Sequence, residues 1–271
     1  MRIVALQPSV SIILDRLGCL DSIAACTKYC LDAVPALRKH NLPVVHDSWT
    51  TNTEELLTLH ADLIIASVPY QQESLAAILK AGQPVLALAP HTLSDVYSDI
   101  RHISHILNVA SRGEAIIAEM QSAIDAVQSQ TKNLSLRPLV YCEEWGKPLI
   151  HSQPWVAKLV EIAGGRFLGT PGATTTSEAV AEASPEIIVA AWCGAGNRVP
   201  LEKIIEQRRW EHLPAVRERR VYCIADELLN TPAPTLIEGL HALAGIIRPE
   251  TFGAPSSPSV RQIDPISVST V

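Results

Sequence analysis

The chain has 271 residues, of which 47% are hydrophobic and 18% are charged, so it can bury a sizeable core and suits two lobes rather than one. Its formal net charge of −6 argues against a nucleic-acid-binding protein, which would carry a basic face. No run of about 18 apolar residues is present, so no membrane insertion is predicted.

Short apolar strands and helices alternate over residues 1–92. Predicted strands lie at 2–7, 23–26, 44–46, 62–66 and 85–88, and predicted helices at 10–17, 52–59 and 69–80. This alternation is typical of an α/β lobe, in which helices cover a parallel sheet. Residues 1–92 are therefore interpreted as an N-terminal α/β lobe.

The pattern changes over residues 93–134, where no strand candidate is found. Apolar residues recur near helical spacing from Ile100 to Val127, and Gly113 marks a position for a break or kink. We predict one long backbone helix here, roughly 50 Å in length at about 1.5 Å per residue, that links two lobes.

Alternation resumes over residues 135–249, which predicts a C-terminal α/β lobe. Strands are expected at 138–142, 166–168, 187–192 and 220–224, and helices at 155–163, 177–183, 201–207 and 234–247. The remaining tail, 250–271, is rich in Ser and Pro and is predicted to be disordered. The predicted fold class is thus α/β, with two Rossmann-like lobes built on parallel sheets.

Two predicted strands of the C-terminal lobe end in residues suited to binding. One ends in Cys142 and is followed by two carboxylates and Trp145, and the other ends in Trp192 and Cys193. Ligands on open α/β sheets bind beyond the carboxyl ends of strands, so we expect both ends to face one cleft between the lobes.

Aromatic side chains in this region indicate a ligand with a broad apolar face. We expect Trp145, Trp155 and Trp192 to contact it, the alternative being that each indole fills a core. Adjacent residues of a strand end point to opposite faces, so we assign Glu144 to the ligand and its neighbour Glu143 to solvent.

The cysteines support an alternative hypothesis, in which the protein binds a metal directly. Cys30, Cys142 and Cys193, with Cys26 as a possible fourth ligand, could hold an iron–sulfur cluster or another soft metal such as zinc. No CxxC motif occurs, and a free cysteine is usually a small buried hydrophobe. A scaffold without any ligand is the third alternative. No phosphate loop, GxSxG or HExxH motif predicts an enzyme.

Several segments resemble the class III substrate-binding proteins of ABC importers, which are also called helical-backbone metal receptors. The resemblance covers roughly residues 1–249 and is strongest to the cobalamin-binding branch. The segments that carry it are Arg2-Ile-Val-Ala-Leu6, Asn52-Thr-Glu-Glu-Leu56, Cys142-Glu-Glu-Trp145, Ala163-Gly-Gly165, Pro185-Glu-Ile-Ile-Val189 and Trp210-Glu-His-Leu-Pro-Ala-Val216. The resemblance implies that a corrinoid such as cobalamin is bound between the lobes.

The same resemblance implies roles for three residues. Trp49 matches a tryptophan beside the ligand cleft, and Glu54 matches a surface glutamate that docks onto an arginine of the membrane permease. The second docking position falls on Asn230, which cannot form that ion pair. The sequence therefore argues against a permease partner.

The N-terminal residues predict a cytoplasmic location. Met1 and Arg2 lead straight into the first predicted strand, with no basic region, long apolar region or small-residue cleavage site. In the cytoplasm the six cysteines would stay reduced. The sequence as a whole predicts a cytoplasmic two-lobed binding protein that holds a corrinoid-like or metal-bearing ligand.

Overall fold

The computed structural model describes residues 1–264, which form two compact units. The first, the N-terminal lobe, contains Met1–Met120 and Thr231–Pro234. The second, the C-terminal lobe, contains Gln121–Asn230 and the described residues from Thr235 to Asp264. The domain boundaries expected after residues 92 and 134 stay a prediction. No helix within the described residues is both long enough and apolar enough to span a bilayer.

The N-terminal lobe is built on a five-stranded parallel sheet in the order β3-β2-β1-β4-β5. Its strands are β1 (Ile3–Ala5), β2 (Ile23–Thr27), β3 (Val44–Val45), β4 (Leu63–Ser67) and β5 (Val85–Leu88). Helices α1 (Pro8–Arg16), α2 (Lys28–Ala33), α3 (Thr53–Leu57) and α4 (Gln72–Lys80) connect them. Strands β1 and β4 are buried throughout because they are continuous apolar runs at the centre of the sheet.

Two helices replace the predicted single backbone helix. Helix α5 (Leu93–Ile106) begins with a capping box between Thr92 and Asp95, and α6 (Ala110–Thr131) follows after a turn at residues 107–109. Asn108 adopts a left-handed conformation there, with φ 57°. Gly113 is not the break. A Cβ at this position would lie 2.3 Å from Ser104 Oγ, so the glycine lets α6 pack closely on α5.

The C-terminal lobe contains a mixed seven-stranded sheet. Its strands are β6 (Leu139–Gly146), β7 (Leu149–His151), β8 (Arg166–Phe167), β9 (Thr174–Thr175), β10 (Ile187–Ala190), β11 (Val221–Ile224) and β12 (Val260–Gln262). The order is β12-β11-β10-β6-β7-β9, with β8 also paired to β6. Strands β6, β8, β10 and β11 pair in parallel, whereas β7, β9 and β12 add antiparallel edges.

Besides the second half of α6, the described part of this lobe contains six α-helices. They are α7 (Pro154–Ile162), α8 (Ser177–Ala183), α9 (Leu201–Arg208), α10 (Pro214–Arg217), α11 (Leu236–Ile247) and α12 (Pro249–Phe252). One core packs the apolar side of α9 and the Trp210 indole against β6, β10 and β11. The predicted two-lobed α/β fold with parallel sheets is confirmed, and the antiparallel edges are an addition to it.

The expectation of a disordered tail is wrong for residues 250–264. This segment contains most of α12 and the whole of β12, which pairs antiparallel to β11. Arg261 forms an ion pair with Glu202 of α9 at 3.1 Å, and the Asn197 amide donates to the Pro258 carbonyl. The rest of the predicted tail, 265–271, lies outside the described residues.

Candidate functional site

The two strand ends singled out in the C-terminal lobe are neighbours. Strands β6 and β10 pair in parallel, with Cys142 opposite Val189 and Glu143 opposite Ala190. Strand β6 continues beyond the expected end at Cys142 to Gly146 and so includes Trp145, whereas Trp192 follows the end of β10. Both indoles therefore lie at the same edge of the sheet.

Glu143 is buried, and the expectation that it faces solvent is wrong. It is 1% exposed, and its carboxylate accepts hydrogen bonds from Arg208 Nη1 at 2.7 Å and Arg208 Nη2 at 3.0 Å. The Tyr141 hydroxyl donates at 2.6 Å and Trp192 Nε1 at 2.8 Å. A buried carboxylate is tolerated only when it is paired and hydrogen-bonded, and these donors meet that condition.

Trp192 is held on two sides. Its indole nitrogen donates to Glu143, and its six-membered ring lies against the backbone of Gly146, where a Cβ would approach Trp192 Cζ2 to 2.4 Å. The half-buried indole is thus fixed beside the β6–β7 hairpin. Its position depends on the buried ion pair beneath it.

Glu144 and Cys193 meet at the same strand ends. Cys193 Sγ lies 3.8 Å from Glu144 Oε1, and the Gln153 amide donates to Glu144 Oε2 at 2.6 Å. Burial raises the pKa of Glu144 above its ordinary value, partly offset by the Gln153 hydrogen bond. Asp226 accepts from the backbone N–H groups of Gly194 and Gly196, both at 2.8 Å, which fixes the turn after Cys193.

Trp145 and Trp155 have opposite environments. Trp145 is 43% exposed, and its indole nitrogen donates to the Lys147 carbonyl at 2.9 Å. Trp155 is 2% exposed in α7 and donates to the Leu229 carbonyl at 2.8 Å. The expectation of ligand contact is therefore corrected for Trp155, because its indole is enclosed in the core and its one donor is satisfied.

Trp49 lies in a hydrogen-bonded turn of the N-terminal lobe. The Asp47 carboxylate accepts from the backbone N–H of Trp49 at 3.1 Å and from Thr50 N–H at 3.0 Å. Ser74 Oγ donates to the Trp49 carbonyl at 2.6 Å. The backbone is tied down while the indole is 42% exposed, so this lobe also presents an aromatic face to solvent.

The two positions compared with permease-docking glutamates differ in environment. Glu54 is exposed in the first turn of α3, whose N-cap is the Asn52 side chain. Asn230 is half-buried, and its side-chain amide donates to the Ala191 carbonyl. The Asn230 side chain therefore makes a hydrogen bond within the C-terminal lobe.

The metal site expected from cysteines finds no support in the structure. Cys30 and Cys142 are fully buried, and burial raises the pKa of both thiols, which keeps them protonated. Burial, with the neighbouring Cys30, also raises the pKa of Cys26 to about 12. Among residues 1–264, no three His, Cys, Asp or Glu side chains are grouped so that they could hold a metal ion. Cys193 contacts a carboxylate but belongs to no such group.

Sequence reasoning missed Arg208 and Asp226, the residues that fix this site. Glu143 directly follows a buried apolar strand, and such a carboxylate requires a cationic partner. That requirement predicts an arginine or lysine nearby, but not which of the 22 in the chain provides it.

Known proteins share both the fold and the sequence pattern. An uncharacterized ABC transporter substrate-binding lipoprotein, YvrC of Bacillus subtilis, is 25% identical over 263 residues, covering 93% of this chain and 81% of that protein. A vitamin B12-binding protein of Vibrio cholerae is 23% identical, with coverages of 91% and 89%. The crystal structure of a periplasmic heme-binding protein from Pseudomonas aeruginosa superposes with a TM-score of 0.83 at 22% identity, covering 97% of this chain and 98% of that one.

A family model described as "Periplasmic binding protein" matches residues 3–228. Together with the lipoprotein relative, this match contradicts the expected cytoplasmic location. That expectation relied on the first residues of the sequence, which do not show what precedes them. Because the match covers most of its length, the chain belongs to the periplasmic binding protein family.

Proposed function

We propose that this protein is the extracytoplasmic substrate-binding component of an ABC importer, and that its substrate is a corrinoid or haem-type macrocycle. The names of its relatives support the class of protein and the class of ligand. The observation that carries the proposal is the exposed Trp145 indole beside Glu144, at the carboxyl ends of β6 and β10.

The environment of Trp145 suits a flat, largely apolar partner. Its polar atom is already bonded to the Lys147 carbonyl, so what remains is the apolar ring. A fully buried aromatic side chain hides about 150–250 Å² of surface, and Trp145, which is 43% exposed, still offers less than half of such an area for a stacked macrocycle to remove from water. Apolar burial is worth about 25 cal/mol per Å².

Polar groups at the same strand ends suit the rim of such a ligand. Glu144 and Gln153 are hydrogen-bonded to each other and offer both acceptor and donor atoms. A corrinoid carries amides on its rim, and a haem carries carboxylates.

A macrocycle fits better than a bare metal ion. Corrin and porphyrin rings supply most of the ligands to their own metal, so the protein needs aromatic surface rather than a set of donors. Trp49 in the N-terminal lobe is the second exposed indole that could provide such surface. The exposed Glu54 is the proposed docking carboxylate for a cationic residue of the permease.

The proposal is tested by titrating the purified protein separately with cyanocobalamin and with hemin, following ligand absorbance. Saturable binding of one of them is expected. Trp145→Ala should weaken it about tenfold or more, which is about 1.4 kcal/mol, whereas Trp145→Phe should retain most of the affinity.

Leu79→Ala is the matched control, because Leu79 is 61% exposed on α4 of the other lobe, and it should bind as wild type. Absence of binding of both ligands would favour a scaffold or a different substrate. Binding that is unchanged in Trp145→Ala would move the site away from this strand end.

A further inference from the structure

A cavity of about 480 Å³ lies in the C-terminal lobe, away from the strand ends described above. It is bounded by the last turn of α6, by α7 and by β8. Arg166 of β8 pairs with Leu139 at the amino end of β6, whereas Trp145 lies near the carboxyl end of the same strand. The two regions are thus roughly 20 Å apart along the strand, at about 3.3 Å per residue.

The cavity is lined by an excess of positive charge. Four cationic side chains and one carboxylate face it: Lys132, Arg137, Lys158, Arg166 and Glu161. The chain as a whole has a net charge of −6, so the charge around this cavity is opposite in sign to the net charge of the protein. Such an excess draws anions toward the cavity.

Internal partners account for only part of this charge. Arg137 donates from Nη1 to the Glu161 carbonyl at 2.9 Å and from Nη2 to the Thr131 carbonyl at 3.2 Å, so it caps α6 and α7. Lys158 pairs with Glu161 at 3.4 Å, but both side chains are more than half exposed, and such pairs stabilise little.

Lys132 and Arg166 are the least engaged of the four. Both are exposed, and within residues 1–264 their side chains have neither a hydrogen bond nor an ion pair. They are therefore available to a ligand without breaking an existing contact.

The carboxyl ends of α6 and α7 also attract cations, and their negative charge can be compared with the positive charge of the four cationic side chains. Each helix end carries roughly −0.5 charge, so the two ends together with Glu161 supply about −2. Four cations exceed this by about two positive charges. Neutralising the helix ends thus explains part of the cluster and leaves a surplus.

We propose that this cavity binds a phosphate-bearing polyanion, either a soluble one or the headgroup of an anionic phospholipid. Arginine matches phosphate oxygens with paired N–H donors, and lysine adds point charge. The volume falls within the range of small-molecule sites. Phe167 and the buried Ile162 give one apolar wall, which suits an organic phosphate.

The test uses the full chain and two probes. Calorimetric titration with inorganic pyrophosphate at low salt measures the soluble form, and sedimentation with phosphatidylglycerol vesicles, compared with phosphatidylcholine, measures the headgroup. Saturable binding of at least one probe is expected, weakening as salt screens the charges. Pyrophosphate binding alone identifies a soluble ligand, and vesicle binding alone identifies a lipid.

Lys132→Glu/Arg166→Glu should weaken the binding about tenfold or more, because it reverses two exposed charges at the cavity. The matched control, Lys39→Glu/Lys80→Glu, makes the same change in net charge on exposed residues of the N-terminal lobe and should bind as wild type. Thermal melting confirms that both variants fold. The proposal is overturned if neither probe binds saturably, or if both variants lose affinity equally.

Discussion

Glu143 and Arg208 form a doubly hydrogen-bonded ion pair inside the C-terminal lobe, with N–O distances of 2.7 and 3.0 Å. Their side chains are 2% and 11% exposed. The Arg208 guanidinium lies 4.8 Å from the centre of the Trp210 ring, and the Trp192 indole donates to the same carboxylate. The pair therefore joins the end of α9 to β6 and orients Trp192 at the candidate site.

We predict that Glu143→Gln destabilises the protein by about 3 kcal/mol. The amide cannot neutralise Arg208, and an uncompensated buried charge is costly. The variant should also release Trp192, because one carboxylate oxygen becomes an N–H donor. Urea unfolding measures the loss of stability.

Two further variants control for this effect. Glu206→Gln removes an exposed carboxylate from α9, the helix that ends at Arg208, and should change stability by less than about 0.5 kcal/mol. Glu143→Met/Arg208→Met removes both charges and should cost less than the two single changes added together. If the double variant loses as much stability as Glu143→Met and Arg208→Met together, the two residues are not energetically coupled.

Gly146→Ala is expected to destabilise the protein by about 1–3 kcal/mol, because the new methyl group overlaps the Trp192 ring. The ring cannot tilt away without losing its bond to Glu143. In a Trp192→Ala background the same change should cost much less. Urea unfolding of the four proteins gives the coupling energy, and an equal cost in both backgrounds would show that the ring is not the obstacle.

The fold was predictable where local pattern determines structure. Strands β1, β4 and β10 and the first residues of β6 are short, mostly apolar runs in a chain that alternates strands with helices, and this pattern identified the α/β lobes. The turn at residues 107–109 was not predictable, because apolar spacing continues across it from α5 into α6. Helical periodicity reports the apolar face and does not register a short interruption.

The candidate site was predictable only in part. Trp145 lies near the end of β6 and Trp155 in the first turn of α7, yet the first is exposed and the second is enclosed by the core around α7. Likewise, Arg208 lies 65 residues from Glu143. Which indole is buried and which cation pairs with Glu143 both depend on long-range packing, which spacing along the chain does not encode.

Asp99→Asn is expected to stabilise the protein at pH 8 by about 2 kcal/mol. Burial in α5, with repulsion from Asp95, raises the pKa of Asp99 to about 7. Since an unfolded aspartate titrates near 4, the native state loses stability as pH rises from about 4 to about 7, and the penalty is constant above that range. The magnitude is set at about half of the full linkage energy, because Asp99 keeps 8% exposure and water still screens its charge.

Urea unfolding at pH 4 and pH 8 tests this prediction. The gain should shrink to a few tenths of a kcal/mol at pH 4, where Asp99 is protonated in the native state and about half protonated in the unfolded state. Asp95→Asn is the control, and its effect on stability should have the opposite sign. Backbone hydrogen bonds at the α5 cap lower the pKa of Asp95, so loss of this carboxylate should destabilise the protein at pH 8. A loss of stability in Asp99→Asn at pH 8 would contradict the assignment.

Glu144 should govern the reactivity of Cys193, the one exposed cysteine of the six. Although the residue is exposed as a whole, desolvation of its thiol raises the pKa well above the ordinary value, and repulsion from Glu144 and Asp226 raises it further. Because the thiolate is the nucleophile, alkylation by iodoacetamide at pH 7.5 should be slow. Glu144→Gln should accelerate it several-fold, as followed by mass spectrometry of the Cys193 peptide. Glu178→Gln, which alters an acidic residue of α8, should leave the rate unchanged, and an unaltered rate in Glu144→Gln would show that this carboxylate does not control the thiol.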